Sequence, residues 1–410
     1  MKEIVLIPDK YFGNASGAVV AQVITKLLVE IGCNVHVFSD DIAEEKCESE
    51  HVKLYPRIKF AATSLYFDSK YKVQFNDLID KVKPECVFTV GSITNKPLCY
   101  LEVTKQRHIR LVSMIFMQDF YCVNVYPVLH DKPCRECLDS GFKQSFKEKC
   151  IINSPKDYLV NFARVKIREK LKKLIPLCDC VIGSSDEQLE FYKRFGVPED
   201  RLCKIPLFFD DSKLKSLKPE IGDYYIGIAQ NRIEKGFQLI PKILDHAGDS
   251  VKVVLAYNGE EKANEAIKYY GLEPYIKRGI LKIEPNLTWS NGLGDKLAKA
   301  RGVIIPTIWP TTTEFGLLEA LGLGKTVFAF DIGIHHEVIR NGENGYAFPL
   351  GDFKAFGETL KKAAKNKFMV ETIGKKAIEI FNNLTNLDCV SNKIIKVLNM
   401  SEQRHKTEIN

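Results

Sequence analysis

No apolar stretch in this 410-residue chain approaches the ~20 residues needed to cross a bilayer, so any membrane association has to be peripheral. A large excess of charge of one sign is also lacking. Lys and Arg number 59 against 52 Asp and Glu, a net charge of +7, which weakly favours anionic ligands or acidic surfaces and is too small to signal nucleic-acid binding. The amino terminus carries only a four-residue apolar run, residues 4–7, closed by Pro8 and Asp9. That falls short of the apolar core of a secretory signal, and the segment reads as the first strand of a cytoplasmic protein. Low-complexity tracts and short internal repeats are lacking too. With 45% hydrophobic and 27% charged residues, what remains is an ordinary globular composition, long enough for two or three domains of roughly 100–200 residues each.

What is present is an alternation of short apolar runs with amphipathic stretches. Residues 4–7, a Gly/Asn/Ser turn at 13–17, an apolar-patterned segment 18–31 and a run at 35–38 form a strand–helix–strand signature. Further strands are predicted at 86–90, 109–116 and 180–183, and a helix at 186–195 closed by Gly196 and Pro198. Periodicity fades over 205–222. The pattern then resumes, with strands at 225–229, 251–256, 279–283, 302–305 and 326–330 and helices at 237–247, 263–270, 296–300 and 317–323. The expected fold is α/β, two consecutive doubly wound domains at 1–208 and 209–388 followed by a tail at 389–410, with ligands at the carboxyl ends of the strands and in a cleft between the domains.

The most informative run is 304–331. A strand ends at Pro306, and Thr311-x-x-Glu314 has the spacing of a capping box at a helix start. Inside that helix Glu319 is surrounded by Leu317, Leu318, Ala320, Leu321 and Leu323. A carboxylate there costs several kcal/mol unless donors meet it. A vicinal diol such as a ribose supplies such donors, and so do the backbone amides of a neighbouring loop.

Two other segments carry candidate chemistry. Cys122, Cys134, Cys137 and Cys150 are spaced x11, x2 and x12 in a loop rich in Pro, Asp, Lys and Ser. Four thiolates around one Cys-x-x-Cys knuckle suit a closed structural zinc site, which would stabilise a loop without a core of its own; an iron–sulfur cluster or plain thiols are the alternatives. Residues 164–175 form a basic amphipathic stretch, and its positive face suits either an anionic bilayer or solvent.

The run from Pro306 through Glu319 to Val327, followed by Asp331-Ile-Gly333-Ile-His-His-Glu337, closely resembles the carboxyl-terminal signature of the GT-B, family 4 retaining glycosyltransferases. The resemblance extends from the glycine turn to about residue 390. It implies a GT-B fold of two Rossmann-like domains, a nucleotide diphosphate-sugar donor, a glycan or lipid-linked acceptor and no nucleic-acid partner. Glu319 takes the place of the family Glu that binds the nucleotide ribose. Lys235-Gly236 matches the family Arg…Lys-Gly pattern, and its Arg falls at Gln230, leaving Arg232 as a shifted partner for the leaving diphosphate. The turn with Gly13 and Gly17 becomes the loop facing donor phosphates, since glycines admit a close backbone approach. Backbone around Thr313, Glu314, Phe315 and Gly316 would meet the sugar and diphosphate.

Two departures stand out: Thr311 occupies the position of the first Glu of the family E-x7-E motif, and Gln118-Asp119 replaces a His-Asp pair. The implied reaction is front-face substitution in which the leaving diphosphate takes the acceptor's proton. It needs neither a protein general base nor a catalytic divalent metal, in keeping with the lack of an obvious pair of catalytic carboxylates. The departures leave two other readings open: a non-catalytic sugar-nucleotide-binding subunit of a glycan-assembly complex, and a sugar-nucleotide 2-epimerase. A cysteine-bearing insertion like that at 118–150 occurs in some members of the family.

Overall fold

Short runs of Val, Ile, Leu and Phe become strands buried on both faces, as parallel sheets covered by helices require. A computed structural model describes residues 1–13, 16–59, 69–206, 208, 211–312 and 314–407. Thr313 and the middle of the glycine turn, Asn14 and Ala15, lie outside the described residues. The chain divides into two compact units, one made of Met1–Tyr126, Arg135–Phe209 and Asn386–Asn410, the other of Pro127–Cys134 and Asp210–Thr385. Two segments thus belong to a different unit from their sequence neighbours: the hairpin at 127–134, and the end of the chain from Asn386 on.

The first unit is built on β1 (Lys2–Pro8), β2 (Cys33–Ser39), β3 (Lys46–Ser49), β4 (Val52–Pro56), β5 (Cys86–Gly91) and β6 (Arg110–Ile115). After the hairpin strands β7 (Val128–Leu129) and β8 (Lys132–Pro133), which belong to the second unit, it adds β9 (Cys180–Gly183) and β10 (Leu202–Lys204). The order is β10-β9-β6-β5-β1-β2-β4-β3. Every pair is parallel except β3 with β4, and the wholly exposed β3 forms the edge. The final helix, Leu387–Thr407, belongs here: it buries Val390, Ile394, Val397 and Leu398, and its Val397 carbonyl accepts from Arg110.

The second unit holds β11 (Tyr225–Ile228), β12 (Val253–Ala256), β13 (Leu281–Glu284), β14 (Gly302–Ile305), β15 (Thr326–Phe330) and β16 (Gly345–Phe348). The order β13-β12-β11-β14-β15-β16 is parallel throughout. It is the 3-2-1-4-5-6 arrangement of a doubly wound nucleotide-binding sheet, whose crevice opens where the order reverses. That point lies between β11 and β14 here and between β1 and β5 in the first unit.

The loop that carries the four spaced cysteines has more structure than its composition predicts. Cys134 closes the β7–β8 hairpin, Cys137 sits in a short helix (Glu136–Asp139), and Cys122 is buried. Cys137, Leu138 and Phe142 pack on the core of the first unit, and Phe142 meets Phe195 edge-on. Among the described residues no three His, Cys, Asp or Glu side chains are grouped to hold a metal ion. The metal centre expected at Cys122, Cys134, Cys137 and Cys150, zinc or iron–sulfur, therefore finds no support among the described residues, and the loop packs on the core of the first unit instead of standing without one.

Candidate active site

Three loops meet at the carboxyl ends of β11, β14 and β15 in the second unit, and glycines let them touch. Gly236 follows β11 with φ +72°, and a Cβ there would fall 1.7 Å from the Pro306 carbonyl oxygen in the loop after β14. Gly333, after β15, has φ +57°, and its Cβ would fall 2.5 Å from the Thr311 oxygen. Both positions demand glycine sterically and conformationally. Backbone bonds complete the lacing: Ile308 N–H donates to Glu234 O at 3.0 Å, and Ile334 N–H to Thr311 O at 2.9 Å.

These loops bring Lys235, Glu314, Thr307 and His335 together. Lys235 Nζ donates to both Glu314 carboxylate oxygens, at 3.0 and 3.3 Å, and the Thr307 hydroxyl donates to Glu314 Oε2 at 3.1 Å. Both members of the pair are largely buried, with side chains 17% and 12% exposed. Burial pushes the Glu314 carboxyl up, but the Lys235 ammonium, with the hydrogen bonds from Lys235 and Thr307, outweighs it and holds it below its ordinary range. His335 is fully buried. Its Nδ1 lies 3.1 Å from the Phe330 carbonyl oxygen, which can only accept, so Nδ1 carries the proton. Burial lowers its pKa and the ring is neutral.

The capping box anticipated at Thr311-x-x-Glu314 does not start the helix. The helix is Phe315–Gly322, and Glu314 at its N-cap makes no side-chain cap bond, because its carboxylate is engaged by Lys235 and Thr307. Thr311 itself is buried. Phe315 and Gly316 form the first helical turn, with open space where a Gly316 Cβ would project. One turn on, Glu319 is buried and receives Lys213 Nζ at 2.5 Å, while that ammonium also sits 3.9 Å from the centroid of the Trp289 ring. Burial raises the Glu319 pKa, and Lys213 and a hydrogen bond from Trp289 oppose the rise without cancelling it. Arg232 is half-exposed and pairs with Glu234. Of the residues singled out in sequence, the structure therefore gathers Lys235 and Glu314, with Gly316 and Phe315 in the helix turn that follows, and gives Glu319 and Arg232 separate partners.

Lys213, Trp289, Thr307 and His335 escaped sequence reasoning. Lys213 lies in the stretch without periodicity, and Trp289 in a 3-10 turn. Thr307 and His335 carried a signal only as parts of longer stretches, the run from Pro306 to Val327 and the Asp331-to-Glu337 loop.

In the first unit the corresponding switch point is equally polar. Lys96 is buried and pairs with Asp9 at the end of β1, and Ser92 N–H donates to Asp9 Oδ2 at 2.8 Å. Gly91, φ +105°, leaves no room for a Cβ beside that carboxylate. Asp119 does not cap its own turn. Its Oδ2 instead accepts from the Ser92 hydroxyl and from the Thr94 amide and hydroxyl, fastening the loop after β5, while Gln118 is buried beside it. The amides of Tyr11 and Phe12 are fixed by Asp41 at 2.9 and 2.8 Å. That leaves Gly13 and Gly17 with open space around their Cβ positions.

Residues 229–366, which contain all three loops of the second unit, match the model of the family described as "Glycosyl transferases group 1". No curated protein matches the chain significantly. Among solved structures, a sucrose-phosphate synthase from Thermosynechococcus elongatus is similar over 98% of this chain and 100% of its own, with TM-score 0.70 and 15% identity. A glycosyltransferase from Rickettsia africae is similar over 97% and 98%, with TM-score 0.67 and 14% identity. Anabaena Alr3699/HepE, solved with UDP and glucose, is similar over 98% and 100%, with TM-score 0.65 and 13% identity. The chain has the α/β fold of GT-B glycosyltransferase structures, and its second unit carries the stretch similar to the group 1 glycosyl transferases.

Proposed function

We propose that the protein is a retaining glycosyltransferase that moves a sugar from a nucleotide diphosphate donor to a glycan or lipid-linked acceptor of the kind found in cell-surface polysaccharide assembly. The observation that carries this reading is Lys235 at the switch point of the second sheet, held by Glu314 within a segment similar to the group 1 glycosyl transferases. A diphosphate leaving group gains negative charge as the glycosidic bond breaks, and a largely desolvated ammonium stabilises that charge far more than an exposed one would. Glu314 holds Lys235 in place and yields it to the diphosphate. The start of the Phe315–Gly322 helix, with the open space over Gly316, offers amides to the same anion. Glu319 exchanges Lys213 for two ribose hydroxyls. Arg232 and the loop at Gly13 and Gly17 are proposed to serve the donor phosphates, and UDP, seen with Alr3699/HepE, is the first nucleotide to try.

Glu314 also supplies, from a different position, the carboxylate that the Thr311 departure removes. A charged group beside the donor site therefore survives that substitution, which favours catalysis over mere binding. The test is release of nucleoside diphosphate from a panel of sugar nucleotides, with and without lipid-linked and glycan acceptors. Acceptor-dependent release, with the anomeric configuration of the donor kept in the product, supports the reading. Binding with no release on any acceptor supports a non-catalytic subunit, and an epimerised sugar with free nucleotide and no acceptor supports a 2-epimerase.

A further inference from the structure

The helix Pro155–Leu174 in the first unit is turned inside out over its first two turns. Its inward positions there are polar: Asn161 is fully buried and donates to the Ser145 hydroxyl at 3.0 Å. Further along, Arg164 and Arg168 reach in to the carbonyls of Val123 and Cys122, at 2.9 and 3.0 Å. Its outward positions are apolar: Leu159 is 76% exposed, Phe162 52%, Val160 47% and Tyr158 46%. Buried polar groups opposite a cluster of exposed large apolar side chains are the informative inversion of the ordinary pattern. The start of the helix is firmly set, with Asp157 accepting from the amides of Asn153 and Ser154 at 2.8 and 2.7 Å. The apolar residues are therefore presented on a rigid element.

The same face changes character along the helix. Tyr158, Phe162, Lys166, Glu169 and Lys173 follow one another at the i+3/i+4 spacing of a single stripe, flanked by Leu159 and Lys170. Lys166 sits 5.5 Å from the Phe162 ring centroid. Lys172 and Lys173 line a cavity of about 520 Å³ at the far end, and neither takes part in an ion pair among the described residues. The carboxylates nearby are engaged, Glu169 by Lys166 and Asp139 by Arg194. Apolar anchors at the start of the helix followed by a lysine-rich end, where Lys172 and Lys173 are exposed, match a surface that is itself apolar below and anionic above.

We infer that this face docks on an anionic lipid bilayer, with Leu159, Phe162 and Tyr158 entering the headgroup boundary and Lys172 and Lys173 meeting lipid phosphates. A second copy of the chain is disfavoured, because pairing two such helices antiparallel sets the lysines of each copy against the apolar residues of the other, and pairing them parallel brings the lysines of both copies together. The inference stands independently of the donor site. It also moves the membrane contact from the basic stretch 164–175 alone to the whole helix, led by its apolar start.

The experiment is co-sedimentation of the full chain with phosphatidylcholine vesicles, with and without phosphatidylglycerol, beside the variants Leu159→Ser/Phe162→Ser and Lys172→Ala/Lys173→Ala. All four positions are exposed, and melting curves check that the variants fold. Binding to anionic vesicles, weaker on neutral ones, reduced by salt, and reduced about tenfold or more by the apolar double variant, is the expected result. Absence of wild-type binding overturns the inference, as does binding unaffected by the apolar variant. A concentration-dependent dimer without lipid, abolished by the same variant, would assign the face to self-association instead.

Discussion

Glu314, largely buried, and Glu319, buried, sit at the start and middle of one short helix, yet their titration moves in opposite directions. Glu314 is held below its ordinary range by Lys235 and Thr307. Above the unfolded carboxyl pKa it therefore adds to stability, and the contribution is lost as pH falls through its depressed folded value. Glu319 is raised by burial that Lys213 does not offset. Its charge costs stability once pH rises above the folded value, a cost that functional sites commonly carry. Glu319→Gln should therefore raise the melting temperature of the ligand-free protein, by about 2–4 °C per kcal/mol recovered, while weakening nucleotide binding. A variant that melts lower and binds normally would show Glu319 to be structural. His335 adds a second pH signature. Its folded pKa is lowered from 6.5, so the unfolded chain binds the proton first, and stability falls as pH drops below about 6.5. In His335→Gln, melting curves collected from pH 7.5 to 5.5 should lose that part of the slope; an unchanged slope would contradict the buried neutral ring.

At the scale of elements, the site depends on loops that approach to contact distance. Gly236→Ala would drive a methyl group into the Pro306 carbonyl at a positive φ, and should cost about 3 kcal/mol or more, among the larger single-residue effects. Denaturant midpoints would measure it, and a change under about 0.5 kcal/mol would mean the two loops are not laced as described. These same elements show what the sequence makes legible and why. The strands at 225–229, 302–305 and 326–330 stand out as apolar runs because parallel strands are buried on both faces, and they are found at Tyr225–Ile228, Gly302–Ile305 and Thr326–Phe330. The exposed β3 and the three-residue β10 carry no such signature. The helix after β14 was legible, but its first residue was not. Thr-x-x-Glu is a local signal, and the Glu314 carboxylate is claimed by a lysine 79 positions away in sequence. Lys213 on Glu319 was hidden for the same reason: local patterning carries no information about a partner supplied from a distant, aperiodic stretch.

For the whole molecule, the chain returns at its end to the unit in which it begins. The Leu387–Thr407 helix buries Val390, Ile394, Val397 and Leu398, and Lys2 and Lys393 reach Asn399 Oδ1 and the Lys204 carbonyl at 2.8 and 3.0 Å. Four buried aliphatic side chains contribute about 6 kcal/mol or more. Truncation after Thr385 should accordingly leave the first unit aggregation-prone or melting far lower; an unchanged melting profile would show the helix to be dispensable. Sequence patterning yielded two α/β sheets, but it could not assign this helix, because amphipathicity tells a helix to bury a face without saying against what.

The central claim is that the switch point of the second sheet holds a nucleoside diphosphate through Lys235 and Glu319. Calorimetric titration of the intact protein with UDP, GDP, ADP and their sugar conjugates tests it most directly, with Lys235→Ala and Glu319→Gln titrated alongside well below their melting temperatures. The account predicts saturable binding of one nucleotide class, weakened about tenfold or more in each variant by the loss of charged or paired hydrogen bonds worth about 1.5–3 kcal/mol. Binding of equal strength in wild type and both variants, or no binding of any nucleotide, would contradict it.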